Sequence, residues 1–118
     1  MSELVSVIIP VYNASPFLKD SIESVIAQTY SNIEIICIND GSTDNSLEIL
    51  KSFSDKITII SQENQGLASA LNVGIKKMKG KWFKWFSPDD VMFSNAIETL
   101  VNTGKKFSNT IIYSDWEL

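Results

Sequence analysis

The chain contains no histidine and no arginine, and its ten basic residues are all lysine. Imidazole is therefore missing as an acid, a base or a metal ligand, and no bidentate guanidinium clamp can form. A single cysteine, Cys37, excludes an internal disulfide, and its place in the apolar segment 33–38 favours a buried thiol in a reducing compartment. Because no histidine can activate it, this thiol is a poor candidate for a catalytic nucleophile.

Charge and hydropathy disfavour two kinds of partner. The net charge is −4 and the pI is about 4.7, so the chain lacks the basic surface typical of nucleic-acid binding. No apolar run approaches the roughly 20 residues that span a bilayer, and the first four residues lack the basic start of a signal peptide. We expect no nucleic-acid partner, no transmembrane segment and a cytoplasmic location, with the cytoplasmic face of a membrane as the alternative.

Short β-branched runs alternate with segments of helical periodicity along the chain. The predicted strands cover residues 5–9, 33–38, 57–60, 81–86 and 110–113. The predicted helices begin at Ser15-Pro16, at Thr43-Asp44, near Leu67 and at Ser94-Asn95. This order predicts an α/β fold, a Rossmann-like, doubly wound and mostly parallel sheet with helices on both faces.

The length of 118 residues is enough for one domain with one core. The chain ends at Leu118, just past the last predicted strand, and no closing helix follows. We therefore expect residues 1–118 to form a single domain that is the N-terminal part of a longer protein.

Side chains suited to ligand binding follow three of the predicted strands. Tyr12 comes after the first strand, Asp40 after the second, and the pair Asp89 and Asp90 after the fourth. Ligands of open α/β sheets bind at the carboxyl ends of the strands, where a doubly wound sheet would bring these residues together. A flat base can stack on Tyr12 and donate a hydrogen bond to Asp40. A divalent cation held by the carboxylate pair can neutralise a diphosphate, so the set predicts a nucleotide-diphosphate site.

Each of these residues also has a structural interpretation. Tyr12 alone would be a partly buried aromatic at a strand end, and Asp40 alone would be a turn residue beside glycine. The segment Ser87-Pro88-Asp89-Asp90 alone would be a solvated turn. The functional interpretation depends on the three segments occurring together. For Asp44 we favour the structural role, capping of the helix that follows.

The motifs that carry a resemblance to a known family are residues 5–13, 39–44, 64–74 and 80–90. In their order and spacing they resemble glycosyltransferase family 2, inverting enzymes of GT-A fold that use nucleotide-activated sugars. The resemblance implies that Pro10 and Tyr12 line the base pocket and that Asp40 hydrogen-bonds the base. It also implies that Asp90 coordinates Mg²⁺ or Mn²⁺, with Asp89 near the ribose or a phosphate.

The activity implied by the resemblance is inverting transfer of a sugar from a nucleotide-diphosphate sugar, with a UDP-sugar favoured, to a hydroxyl of an acceptor glycan, lipid or protein. Two positions depart from the family's pattern: Ser87 stands where aspartate is common, and Leu71 where arginine is common. The first departure weakens the case for a metal and the second removes a nucleotide contact. The general base of such enzymes follows well after the metal motif. We expect it beyond Leu118, and no robust transfer by this chain alone.

The alternative function is a non-catalytic nucleotide-binding module. It is favoured by the scarcity of candidate bases after Asp90, where Asp115 and Glu117 stand only at the extreme end. A phosphoacceptor receiver domain has the same alternating order but needs an acidic pair after the first strand, where Pro10-Val11-Tyr12 stands. A Rossmann dehydrogenase is disfavoured because no Gly-x-Gly-x-x-Gly follows that strand.

Overall fold

A four-stranded parallel sheet with the strand order β3-β2-β1-β4 forms the centre of the computed structural model, which describes residues 2–106. Strands and helices alternate as β1 (Val5–Val11), α1 (Ser15–Ile26), β2 (Ile33–Asp40), α2 (Ser46–Lys51), β3 (Thr58–Gln62), α3 (Leu67–Lys77), β4 (Trp82–Trp85) and α4 (Ala96–Gly104). The predicted α/β fold is thereby confirmed. The strand predicted at 110–113 lies outside the described residues, and the single domain 1–118 stays a prediction.

The alternation of side chains along β1 places a core on each face of the sheet. One face carries Val5, Val7, Ile9 and Val11, which pack with apolar residues of α1, α2 and α4. The other face carries Ile8, which packs with Ile36 and Ile38 of β2 and with Ala70 of α3. Helices therefore cover both faces, as the doubly wound arrangement requires.

A glycine allows α3 to approach the sheet closely. A Cβ atom at Gly74 would lie 2.4 Å from Cγ2 of Ile8 and 3.0 Å from Cδ1 of Ile38. Any larger side chain would therefore push α3 away from the central strands. Because α3 begins directly after the loop that follows β3, this packing also fixes the position of that loop.

The first strand runs two residues past its predicted end and includes Pro10. The carbonyl oxygen of Ile8 accepts a hydrogen bond from the N–H of Phe86, so Ile8 and, by alternation, Pro10 direct their backbone polar groups towards β4. The last residue of β4 pairs with Ile8, so β4 has no residue opposite Pro10. The missing N–H of the proline therefore costs no ladder hydrogen bond, and the strand continues to Val11.

The burial expected for Cys37 is confirmed. Cys37 is buried on β2, and burial raises the pKa of its thiol to about 12, which makes it unreactive as a nucleophile. Between residues 2 and 106, no helix has the length and apolar character needed to cross a bilayer. The cytoplasmic location stays a prediction.

Candidate functional site

The strand order brings the three predicted ligand-binding segments to one edge of the sheet. β1 lies between β2 and β4, and all three strands run in the same direction. Their carboxyl ends therefore lead side by side into the segments that carry Tyr12, Asp40 and the pair Asp89 and Asp90. The loop after β3 opens on the same edge, next to the end of β2.

Asn13 joins the loop after β1 to the loop after β2. Its backbone has a positive φ of 48°, which asparagine tolerates better than most residues. Its side-chain Oδ1 accepts hydrogen bonds from the N–H of Thr43 at 2.7 Å and of Asp44 at 3.3 Å. Its own N–H donates to Oγ of Ser42 at 3.1 Å. These hydrogen bonds hold the two loops together. Tyr12 directly precedes Asn13, so its position is fixed by the same contacts.

Asp44 binds the amino ends of two helices. Its Oδ1 accepts the N–H of Ser46, the first residue of α2, at 2.9 Å, and its Oδ2 accepts the N–H of Ser15, the first residue of α1, at 3.1 Å. The hydrogen bond from the Ser46 side chain, assisted by these N–H groups and opposed by burial, lowers the pKa of Asp44 to about 2. The N-cap residue of α2 is Asn45, so Asp44 binds the first N–H of α2 from the preceding position, and it binds the first N–H of α1 as well.

Asp44→Asn should make the stability of the chain less dependent on pH. Because folding lowers the pKa of Asp44 from 3.8 to about 2, its ionised form stabilises the folded state above pH 4. That contribution disappears as the pH falls through about 2. Urea unfolding at pH 7 and at pH 3 should therefore show a difference between wild type and variant that shrinks at the lower pH. A difference that stayed constant or grew would contradict the low pKa.

Tyr12 presents an exposed ring at this edge. Its side chain is 51% exposed, whereas its neighbours Pro10 and Val11 are buried within β1. An exposed ring anchored on a buried strand offers a flat, well-positioned surface on which a base can stack. Pro10 is buried within β1, one residue before the end of the strand, so its place in the base pocket stays a prediction.

Asp40 is 4% exposed and lies at the last position of β2. Its Oδ1 accepts hydrogen bonds from Nε2 of Gln62 and from the N–H of Gln65, both at 2.9 Å, and its Oδ2 accepts the N–H of Gly66 at 3.0 Å. Burial raises the pKa of Asp40, but these three donors outweigh it and hold the pKa below its ordinary value. The carboxylate is therefore ionised near neutral pH and fixes the loop after β3.

The donors to Asp40 could not be assigned from the sequence. Asn64-Gln65-Gly66 is recognisable as a turn, and the φ of 96° at Gly66 agrees with the choice of glycine there. However, the sequence does not show which acceptor lies opposite the N–H groups of such a turn. A carboxylate has about four acceptor positions, and the described residues donate to three of those on Asp40.

The carboxylate pair lies in a turn directly after β4. The N–H of Asp90 donates to the carbonyl oxygen of Ser87 at 3.3 Å, and Oγ of Ser87 donates to Oδ1 of Asp89. Asp89 is exposed and Asp90 is half-buried. Ser87 stands where an aspartate would provide a third carboxylate, and here it orients Asp89 instead.

The carboxylate oxygens of Asp89 and Asp90 suit a cation that also binds a diphosphate. Within residues 2–106, no cluster of three or more acidic, histidine or cysteine side chains could hold a metal ion by itself. Mg²⁺ is usually bound by one or two carboxylates together with water and the phosphates of a substrate. Asp89 and Asp90 provide such a set, so the described residues fit a metal that binds with the nucleotide.

The fold defines the class of protein. The chain shares its fold with solved glycosyltransferases of GT-A type. One is Staphylococcus aureus TarS in complex with UDP, with a TM-score of 0.81, 21% identity and coverage of 87% of this chain and 32% of that chain. Another is mannosyltransferase PcManGT from Pyrobaculum calidifontis in complex with GDP-Man and Mn²⁺, with a TM-score of 0.73, 22% identity and coverage of 77% and 29%.

The chain belongs to glycosyltransferase family 2. The model of Glycosyl transferase family 2 matches residues 6–116. An uncharacterized glycosyltransferase of Rickettsia prowazekii (strain Madrid E) is 51% identical over 119 residues, which cover 99% of this chain and 37% of that protein. The resemblance found in the sequence is thereby confirmed. The chain spans little more than a third of the length of this relative.

Proposed function

We propose that this chain binds a nucleotide-diphosphate sugar, with a UDP-sugar favoured, and provides the donor site for transfer of the sugar. One observation carries the proposal. A stacking ring, a buried ionised carboxylate and a carboxylate pair follow three adjacent parallel strands at one edge of the sheet. TarS, which shares the fold, has been crystallised with UDP, and this supports the choice of nucleotide.

Different residues are assigned to the base, the ribose or phosphates, and the cation. We assign the base to Tyr12 and Pro10, with the remaining acceptor position of Asp40 taking an N–H of the base. We assign the ribose or a phosphate to Asp89 and a divalent cation, Mg²⁺ or Mn²⁺, to Asp90. The hydrogen bonds of Asn13 and Asp44 keep the two loops in register, so the base pocket is preorganised.

A cation bound with the diphosphate would stabilise the negative charge that develops on the leaving group. The chain's own contribution is to hold Asp90 at the edge of the sheet and to orient Asp89 through Ser87. A related GT-A protein, PcManGT, has been solved with Mn²⁺, which supports the choice of a divalent metal.

The transfer we propose proceeds with inversion, by in-line attack of an acceptor hydroxyl of a glycan, lipid or protein. Between residues 91 and 106 the only carboxylate is Glu98, and its Oε2 accepts a hydrogen bond from Oγ1 of Thr29 at 2.6 Å. Because Glu98 lies on α4 and is hydrogen-bonded to Thr29, in the segment between α1 and β2, we do not assign it as the general base. The other candidates in this part of the chain, Asp115 and Glu117, lie outside the described residues. A module that binds the nucleotide without catalysis is the alternative for this chain.

Calorimetry with UDP tests the donor site. The 118-residue chain should bind UDP in the presence of Mn²⁺ or Mg²⁺ and more weakly in EDTA, because the carboxylate pair contributes only through the cation. UMP is the matched control: lacking the second phosphate, it should gain less from the metal. Absence of UDP binding in all conditions would contradict the proposed function. Equal binding with and without metal would keep the nucleotide site and remove the metal from it.

A further inference from the structure

The segment that carries the carboxylate pair is attached to α1 by polar side chains. We call residues 87–95 the carboxylate loop. Ser21, Ser24 and Gln28 are spaced by three and four residues, so they lie on one face of α1 and of the turn that follows it. All three make hydrogen bonds with the backbone of the carboxylate loop or of the first turn of α4.

Ser21 and Ser24 hold the loop on either side of the carboxylate pair. Oγ of Ser21 donates to the carbonyl oxygen of Ser87 at 3.1 Å, and this oxygen also accepts the N–H of Asp90 at 3.3 Å. Oγ of Ser24 accepts the N–H of Met92 at 3.0 Å. The two carboxylates therefore lie between two fixed points of the backbone, one of which binds Asp90 directly.

Gln28 fixes the end of the carboxylate loop. Its Nε2 donates to the carbonyl oxygen of Phe93 at 2.6 Å and to that of Ser24 at 3.1 Å, and its Oε1 accepts the N–H of Ile97 at 3.0 Å. The side chain is buried, and its polar atoms are all used in this bridge between α1, the loop and α4. A buried amide with three partners specifies one arrangement of the backbone around it.

Two backbone hydrogen bonds also hold the end of this loop, from the N–H of Thr29 to the carbonyl oxygen of Ser94 at 2.8 Å and from the N–H of Ala96 to that of Phe93 at 3.0 Å. Inside the loop, the structure of residues 2–106 shows two hydrogen bonds, from the N–H of Asp90 and from Oγ of Ser87. Val91 and Phe93 are 69% and 66% exposed, so apart from Met92 the loop buries little apolar surface. The hydrogen bonds that flank the carboxylates on their two sides nevertheless come from Ser21 and Ser24 of α1.

We propose that Ser21, Ser24 and Gln28 are positioning residues for the metal-dependent part of nucleotide binding. They act by holding the carboxylates of Asp89 and Asp90 in a position from which they can bind a cation that also binds the diphosphate. This inference rests on the proposed function, since it presupposes a metal-dependent donor site. It assigns a role to two side chains of α1 and one just after it, none of which belongs to the predicted set of ligand contacts.

The test compares the double variant Ser21→Ala/Ser24→Ala with wild type. Calorimetry gives the UDP affinity in Mn²⁺ and in EDTA, and their ratio is the metal-dependent gain. Hydrogen exchange measures protection of the carboxylate loop without metal or nucleotide. Loss of two hydrogen bonds should lower the gain about threefold to tenfold. The affinity in EDTA should stay unchanged, and exchange in the loop should become faster.

Thr29→Val is the matched control, because it removes the hydrogen bond from Oγ1 of Thr29 to Glu98 of α4 but retains the backbone N–H that donates to the carbonyl oxygen of Ser94 in the carboxylate loop at 2.8 Å. It should leave the metal-dependent gain at the wild-type value. A double variant that kept the wild-type gain would overturn the inference, whether or not exchange became faster. Equal loss of affinity in Mn²⁺ and in EDTA would also overturn it, since that is the pattern of a merely structural role. If wild type itself showed no gain, the proposed metal site would fail and the inference with it.

Discussion

Asp90→Ala should abolish the metal-dependent gain in UDP affinity and leave the affinity in EDTA close to that of wild type. Asp90 is half-buried at the turn after β4, and its backbone N–H, which the variant retains, makes the hydrogen bond that shapes this turn. Outer-shell partners of a metal are worth about 10- to 100-fold in metal affinity, so loss of a direct ligand should cost at least about tenfold. Calorimetry with UDP in Mn²⁺ and in EDTA measures both quantities.

Two other carboxylate variants are compared with Asp90→Ala, one as a control and one from the same pair. Asp55→Ala removes the same charge from the turn before β3, at the opposite end of the strands, and should change neither affinity. Asp89→Ala removes the exposed member of the pair, which we place near the ribose or a phosphate, and should have the smaller effect. A larger loss from Asp89→Ala than from Asp90→Ala would exchange the roles of the two residues.

The order of strands and helices was predictable because their periodicities are local properties of the sequence. Hydrophobic runs of four to six residues alternate with helical patterns, and right-handed crossovers then leave few possible topologies. The convergence of the loops after β1, β2 and β4 follows from the same reasoning. Strand ends were less predictable. The second strand was expected to end at residue 38, but β2 continues to Asp40, because Asp40 still pairs with Gln62 of β3.

The polar contacts around the site were not predictable, since their partners are far apart in the sequence. The apolar residues of α1 include Leu18, Ile22 and Val25, which are buried, but also Phe17, which is largely exposed. The polar face of the same helix, with Ser21, would have been assigned to solvent on composition alone. It is instead covered by a loop more than 60 residues later in the chain, and only the tertiary structure brings the two together.

Asp40 anchors the loop after β3, and we propose a second task for it as the contact of the base. As a base contact it must keep an acceptor free, and as a loop anchor it accepts three hydrogen bonds from residues 62–66. The two tasks are compatible, because the donors that fix the loop also lower the pKa and keep the carboxylate ionised for the base. The proposed base contact would therefore couple the loop after β3 to the bound base through one side chain.

Asp40→Ala should weaken UDP binding to the same extent in Mn²⁺ and in EDTA, in contrast to Asp90→Ala. A hydrogen bond to a charged group contributes about 1.5–3 kcal/mol, which corresponds to a loss of about 10- to 150-fold. The variant should also be less stable in urea, because the donors from Gln62, Gln65 and Gly66 lose their acceptor. Calorimetry and urea unfolding measure the two effects separately.

A comparison of UDP with CDP distinguishes the two tasks of Asp40. The ring nitrogen N3 of uracil carries a hydrogen that a carboxylate can accept, whereas N3 of cytosine is itself an acceptor and would be repelled. Wild type should therefore prefer UDP, and Asp40→Ala should lose that preference if the carboxylate contacts the base. If the variant bound both nucleotides more weakly but kept the preference, Asp40 would act only through the loop after β3. The base contact would then have to be sought among the N–H and carbonyl groups of that loop, which Asp40 holds at the edge of the sheet.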